Sequence, residues 1–212
     1  MRKSKKMLEV NKIYNADCMD ILKELPDKCI DLVLTDPPYG IIKDLKLKGM
    51  EKTSEASEWD FKPNKVYFDE IFRISKNQII WGYQYFISNF PENKGVIFWD
   101  KKNGNNFMSD GELAFNSCTN AVRIFRYAQI GKDNYEPIRY HPTQKPLALF
   151  SWCLEKFSNP NDLILDCFSG SGTTAIACHN LKRRFICIER DTDYYNASLE
   201  RLKNAQAQLR LF

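Results

Sequence analysis

A chain of 212 residues, 43% hydrophobic and 27% charged, has the size of one globular domain that buries one substantial core, rather than of a two-domain enzyme. No run approaches the ~20 apolar residues of a membrane span, and the basic start Met1-Arg2-Lys3-Ser4-Lys5-Lys6 is not followed by an apolar signal-peptide core, so a cytoplasmic location is expected. The net charge of +4 permits a polyanionic partner without demanding one.

Ile13-Tyr14-Asn15 reads as a strand leading to Asp17, and residues 18–25 set Ile21, Leu22 and Leu25 on one helical face before Pro26 and Asp27 end it. Residues 30–35, Ile-Asp-Leu-Val-Leu-Thr, form the short apolar run of a buried parallel strand. It stops at Asp36-Pro37-Pro38-Tyr39-Gly40, whose prolines cannot continue a ladder. Residues 41–63 are polar and without period, so they predict a long loop of the functional or disordered kind. A helix near 64–76, a strand Gln78–Trp81, a short helix near 83–89 and a strand Val96–Trp99 follow. Residues 101–140 carry strand-like pieces near 113–117 and 122–127 among Asn, Gly, Arg and aromatics. Pro146 opens a helix through Phe157, and Asp162–Asp166 is an apolar strand. Gly170-Ser171-Gly172-Thr173 then turns into a helix ending near Leu181. Arg184–Ile188 is a further strand, and Tyr195, Leu199 and Leu202 line one face of a C-terminal helix. Strands alternating with helices predict an α/β fold, a parallel sheet with helices on both faces.

Seven cysteines (Cys18, Cys29, Cys118, Cys153, Cys167, Cys178, Cys187) are odd in number, lack a Cys-x-x-Cys pair and sit mostly among apolar neighbours, which favours reduced core thiols over disulfides or zinc. Lysines at 43, 46, 48, 52, 62 and 65 fall in one stretch, and Arg123, Arg126, Lys132 and Arg139 in another. By themselves these read as solvated surface.

The chemistry concentrates in two motifs. Leu163-Ile164-Leu165-Asp166-Cys167-Phe168-Ser169-Gly170-Ser171-Gly172-Thr173-Thr174 is a strand, a glycine-rich turn and a helix start, which lets a ligand approach backbone N–H groups. It lacks the lysine of a phosphate-binding Gly-Lys-Ser/Thr loop, which counts against ATP or GTP. Roughly 20 residues on, the next strand ends at Ile188-Glu189-Arg190-Asp191, where an acid can accept both hydroxyl hydrogens of a ribose. Turn plus distal acid indicates an adenosine-containing cofactor. The second motif is Asp36-Pro37-Pro38-Tyr39. An aromatic exocyclic amine is a poor nucleophile because its lone pair is delocalised into the ring. If Asp36 and the Pro37 carbonyl accept its two hydrogens, the nitrogen is drawn toward tetrahedral geometry and fixed acceptors stabilise the charge that grows there. Consecutive prolines restrict the backbone so that the carbonyl is held facing the pocket, and Tyr39 offers a flat face to a flipped base. As an alternative, Asp-Pro-Pro-Tyr-Gly is also a good strand-terminating turn.

Together these motifs resemble the β-class S-adenosylmethionine-dependent DNA amino-methyltransferases, in which Asp-Pro-Pro-Tyr precedes Phe-x-Gly-x-Gly. The resemblance spans nearly the whole chain. It implies a Rossmann-like methyltransferase fold with a mostly parallel seven-stranded sheet flanked by helices, in a circularly permuted motif order: the chain begins with the third strand, runs through the catalytic half and returns to build strands one and two. That order argues against the glutamine and RNA methyltransferases with Asn-Pro-Pro-Tyr, whose cofactor loop comes first. It implies catalytic roles for Asp36, Pro37, Pro38 and Tyr39. It implies S-adenosyl-L-methionine as cofactor, held by Asp17, Cys18, Asp36, Lys145, Asp166, Phe168, Ser169, Gly170, Gly172, Thr173, Glu189 and Arg190. Asn15-Ala16-Asp17-Cys18 resembles the segment lying against the cofactor adenine, with Asn15 where Gly is common. His141-Pro142-Thr143-Gln144-Lys145-Pro146 resembles the segment that helps hold the methionine carboxylate, so His141 belongs to a turn and, with His179 the second histidine, a His-based metal site is not expected. The implied substrate is double-stranded DNA with a flipped target base, and no membrane is involved. Asp at the head of the motif leans to adenine N6; cytosine N4 by the same mechanism and a catalytically silent DNA- or cofactor-binding protein are the alternatives. Target recognition is expected in small insertions at about 41–63 and 101–140, whose basic residues contact phosphates and whose shortness implies a brief site or low specificity. A homodimer and a cognate restriction endonuclease are the further partners the resemblance admits. Trp81, Tyr83 and Trp99 are candidates for either the base pocket or the core.

Overall fold

The computed structural model describes residues 7–40, 61–103, 109–128, 140 and 143–208. Most of the first expected recognition insertion, residues 104–108 and 129–139 of the second, and His141 with Pro142 lie outside them. The first half runs β1 (Lys12–Asn15), α1 (Cys18–Leu22), β2 (Ile30–Thr35), α2 (Lys65–Ile74), β3 (Ser75–Trp81) and α3 (Tyr83–Phe86), which passes into one 3₁₀ turn at Ile87–Asn89. Then come β4 (Val96–Asp100), β5 (Gly111–Asn116), β6 (Val122–Arg126), α4 (Leu147–Phe157), β7 (Leu163–Asp166), α5 (Thr173–Asn180), β8 (Arg184–Glu189) and α6 (Thr192–Gln208).

Among the described residues eight strands form one sheet in the order β1-β8-β7-β2-β3-β5-β4-β6. The first five are mutually parallel; β5 runs antiparallel to β3 and β4, and β6 is parallel to β4. The α/β class and mostly parallel sheet are as expected, with eight strands where seven were implied. Of the two edge strands, β6 pairs only with β4 and leaves Val122 and Ile124 exposed, so it adds a ladder but little core.

Side chains alternate between two apolar layers, as the pleat requires. Leu32, Leu34, Ile79, Trp81, Ile164, Phe185 and Cys187 meet α4, α5 and Leu202 of α6 on one face. Val33, Ile80, Leu163, Leu165, Ile186 and Ile188 meet α1 and α2 on the other. Strands buried on both faces explain why their sequences are continuous apolar runs rather than alternating ones. Helix α2 is capped by the Asn64 side chain, which accepts from Tyr67 N at 3.3 Å, and turns Tyr67, Phe68, Ile71 and Ile74 inward. It passes straight into β3 at Ser75, earlier than the expected strand at 78, because Ser75 already adopts extended angles while its N–H and hydroxyl both bond Ile71 O. Helix α1 stops at Leu22, short of the expected 25, and Leu25 is buried in the turn that follows.

The connection leaving β2 passes through α2 on one face and that leaving β7 through α5 on the other. β2 and β7 are neighbours, so a crevice opens at their carboxyl ends. Both sequence motifs begin there. All seven cysteines are free thiols, five of them buried, and burial pushes Cys18 up to about 12 and Cys153 higher. No helix among the described residues is long and apolar enough to cross a membrane.

Candidate active site

Registers bring the carboxyl ends into line: Asn15 pairs with Glu189, Asp166 with Cys187, Val33 with Leu165 and Thr35 with Ile80. On the β7 side, Asp166 is 2% exposed and its carboxylate accepts from Thr35 Oγ1 at 2.8 Å, from Phe168 N at 3.1 Å and from Thr174 Oγ1. Burial pushes its pKa up to about 6 against those three donors. Asp166 therefore ties the end of β2 to the end of β7 and fixes the first turn of α5.

The turn itself is shaped by glycine. Gly170 and Gly172 have φ of 48° and 80°, and a Cβ at Gly172 would lie 3.0 Å from Cβ of Ser198 in α6. Ser169 N donates to Ile188 O, while the buried Ser169 hydroxyl has no partner. Glu189 accepts from Gly170 N at 2.8 Å through one oxygen and from Asp191 N at 2.9 Å through the other. Burial raises its pKa above the ordinary value. A carboxylate has about four lone-pair sites, so each oxygen keeps one for a ligand. Asn15 Nδ2 donates to the carbonyls of Glu189 and exposed Arg190, both at 3.0 Å, and Asp17 caps α1 by accepting from Met19 N. Cys18 is buried beside it, and Phe168 lies against the Tyr67 ring with centroids 5.3 Å apart. Thr173 is buried, with Oγ1 receiving Arg201 Nη1 at 2.9 Å; the same guanidinium reaches Ser171 O and Oγ. Of the expected cofactor residues, these gather along one edge.

Lys145 stands apart from them. Its Nζ lies 2.6 Å from Asp36 Oδ2, 3.0 Å from Glu112 Oε2 and 3.4 Å from the Tyr39 hydroxyl. The other Asp36 oxygen receives the Tyr39 hydroxyl, and the other Glu112 oxygen pairs with Lys101 Nζ at 2.5 Å. Both lysine side chains are 7% exposed, so Lys101, Glu112, Lys145 and Asp36 form a buried chain of alternating charge. Burial raises the Asp36 pKa, opposed by the Lys145 ammonium. Burial would also raise Glu112, but its two lysines outweigh that and hold it below the ordinary value. Burial disfavours the Lys145 ammonium, yet Asp36 and Glu112 overcompensate and raise its pKa.

Pro37 is buried, with Pro38 and Tyr39 half-buried beside it. The Tyr39 ring stacks on Tyr85 at 4.6 Å and meets Phe86 edge-on at 6.0 Å, so Tyr85 already covers one face of the ring. Gly82 makes room: a Cβ there would fall 2.1 Å from the Tyr39 ring. Trp81 and Trp99 are 0% and 1% exposed and pack edge-to-face, which places both in the core. Tyr83 packs against Phe90 and Phe115.

Sequence reasoning missed Glu112, Lys101, Thr35, Tyr85 and Arg201. A signal existed for Glu112, the lone acid in a strand whose next four residues are Leu113-Ala114-Phe115-Asn116. Thr35, Tyr85 and Arg201 carried none, since their partners lie far off in the chain, and Lys101 reads as an ordinary lysine after a strand. Among the described residues no group of three His, Cys, Asp or Glu side chains could hold a metal ion.

The arrangement offers a hydrogen-bond acceptor in a closed charge network, next to a backbone cradle with an unpaired hydroxyl and a ribose-competent acid. Comparison with known proteins agrees. A family model described as DNA methylase, of N6/N4 methyltransferases, matches residues 30–200. The type II methyltransferase M1.MboII of Moraxella bovis is 26% identical over 90% of this chain and 95% of its own. The crystal structure of the M1.HpyAVI–SAM complex superposes with a TM-score of 0.60 at 28% identity, covering 90% of this chain and 99% of that one. PvuII DNA methyltransferase, described as cytosine-N4-specific, shares the fold at TM-score 0.60 and 15% identity, over 93% of this chain and 91% of that one. The chain belongs to the N6/N4 DNA methylase family, the S-adenosylmethionine-dependent DNA methyltransferases.

Proposed function

We propose that this chain methylates N6 of adenine in double-stranded DNA, with Asp36 as the acceptor that holds the target amino group. One observation carries the reading. Thr35, immediately before Asp36, is bonded through its hydroxyl to Asp166, immediately before the glycine turn, so the catalytic carboxylate and the cofactor cradle are fixed to one another at the switch point of the sheet. Asp rather than Ser at the head of the motif favours adenine.

The residues present fit the cofactor. Ser169 has a buried hydroxyl without a partner, Glu189 retains acceptor capacity for two ribose hydroxyls, and Gly170 and Gly172 keep the turn free of side chains. Asp17, Cys18, Phe168, Ser169, Gly170, Gly172, Thr173, Glu189 and Arg190 would line its nucleoside and tail. Asp166 serves by holding that turn, and Lys145 by holding Asp36 beside it. When bound, S-adenosylmethionine supplies an electrophilic methyl group on a sulfonium.

Asp36 accepts one hydrogen of the adenine amino group, displacing the Tyr39 hydroxyl from Oδ1, and the Pro37 carbonyl accepts the other. Both acceptors draw the nitrogen lone pair out of the ring and stabilise the positive charge that develops on it. The raised pKa of Asp36 suits it to take the proton lost from the methylated nitrogen. Tyr39, released from Asp36, offers its uncovered face to the flipped base while Tyr85 backs the other. Lys62, Arg123 and Arg126, exposed members of the basic stretches, would contact phosphates on this reading, which also extends to a homodimer and a cognate restriction endonuclease.

Incubation with labelled cofactor and unmethylated DNA, followed by nucleoside mass spectrometry, tests it. N6-methyladenine is the expected product. N4-methylcytosine keeps the mechanism and corrects the base, and no methylated nucleoside overturns the reading.

A further inference from the structure

We propose that Glu112 is a positioning residue for methyl transfer: it holds the Lys145 ammonium against one oxygen of Asp36, leaving the other oxygen for the target amino group. The inference rests on Asp36 being the acceptor of that group.

A lysine ammonium is a compact charge with three donors on a flexible stem, and alone with one carboxylate it is free to bridge both oxygens. Here Nζ lies between two carboxylates, 2.6 Å from Asp36 Oδ2 and 3.0 Å from Glu112 Oε2. Glu112 is itself fixed from behind by Lys101, 2.5 Å from Oε1, and Lys101 is fixed by the Trp99 ring at 5.0 Å from its centroid. Asp36 Oδ1 is left to the Tyr39 hydroxyl, a neutral donor that a substrate can displace. The two lysines and two carboxylates sum to zero charge, which lets the chain of ion pairs stay buried.

Charged and titratable groups face Asp36 from several elements, and burial, Lys145, Glu112 and Tyr39 set its acidity. Lys145 ahead of α4, Glu112 on β5, Lys101 after β4, Tyr39 on its own loop, Tyr85 beneath Tyr39 in α3 and Asp166 at the end of β7 are the titratable groups that surround it. Of these, the Glu112 charge favours the protonated form of Asp36 and the Lys145 charge the ionised form. Removing Glu112 therefore leaves Lys145 wholly to Asp36. The ammonium competes with the amino group for Oδ1, and Asp36 becomes more acidic.

The test is single-turnover methylation of unmethylated duplex DNA as a function of pH by the full chain, Glu112→Gln, the charge-balanced Lys101→Met/Glu112→Gln pair, and Asp36→Ala. In both Glu112 variants the transfer rate is expected to fall about tenfold or more with KM for DNA within about threefold, because the lost contact acts on the reacting group. The acid limb of the rate profile is expected to move about half a unit or more to lower pH. Should Glu112→Gln fail to fold, the double variant carries the test. Folded variants whose acid limb stays in place, or whose loss appears only in KM, overturn the assignment while a dead Asp36→Ala leaves the function intact. If wild type forms no methylated nucleoside, or Asp36→Ala remains active, the reading of Asp36 falls and Glu112 with it.

Discussion

The two sides of the crevice are built differently. On the β7/β8 side, carboxylates are met by backbone N–H groups and hydroxyls: Glu189 by the N–H groups of Gly170 and Asp191, and Asp166 by the N–H of Phe168 and the hydroxyls of Thr174 and Thr35. On the β2 side, Asp36 is held by Lys145, which is 109 residues away, and Lys145 by Glu112 on a different strand. The glycine turn is thus held by neutral donors, most of them backbone N–H groups, whereas Asp36 is set by buried charges. Breaking the charge chain on the second side should cost the most stability; altering the first should cost less and weaken cofactor binding where the turn or Glu189 changes.

The largest expected effect breaks the charge chain. Lys145→Met leaves two buried carboxylates without their shared cation and lowers unfolding free energy by about 3–5 kcal/mol in urea denaturation. Next is Asp166→Asn, compared with wild type as a function of pH. The folded pKa of Asp166 is raised to about 6, above the unfolded carboxylate, so the stability this group contributes is full below about pH 4 and is lost as pH rises through 6. The stability of wild type relative to the variant should therefore fall by up to about 3 kcal/mol between those limits. Gly172→Ala, with φ of 80° and Ser198 at 3.0 Å from the added carbon, costs about 1–2 kcal/mol in thermal unfolding and weakens cofactor binding. Smallest in stability is Glu189→Gln, about 1 kcal/mol, while calorimetry should record cofactor affinity down about tenfold.

The same contrast decides what was legible. The turn at 166–174, its distal Glu189 and the strand before Asp36 were readable because glycine spacing, apolar runs and proline breaks act over a few residues. The permuted order was readable only because both motifs are local. Lys145 was found through its motif; that its side chain meets Asp36 and Glu112 was not, because both partners lie far from it in the chain. Tyr39 was expected to offer a flat face to a flipped base, and Tyr85 backs one side of its ring, a contact between the loop after β2 and helix α3 that no periodicity announces. Arg201 clamps Ser171 and Thr173 from the C-terminal helix, where its position reads as ordinary surface.

The most direct test of the division is Asp36→Ala, assayed for cofactor affinity and for single-turnover transfer to DNA. The account predicts a loss of transfer of about 10²-fold or more with the dissociation constant for S-adenosylmethionine within about threefold of wild type. Transfer retained within about threefold, or lost only in proportion to weakened cofactor binding, would contradict it.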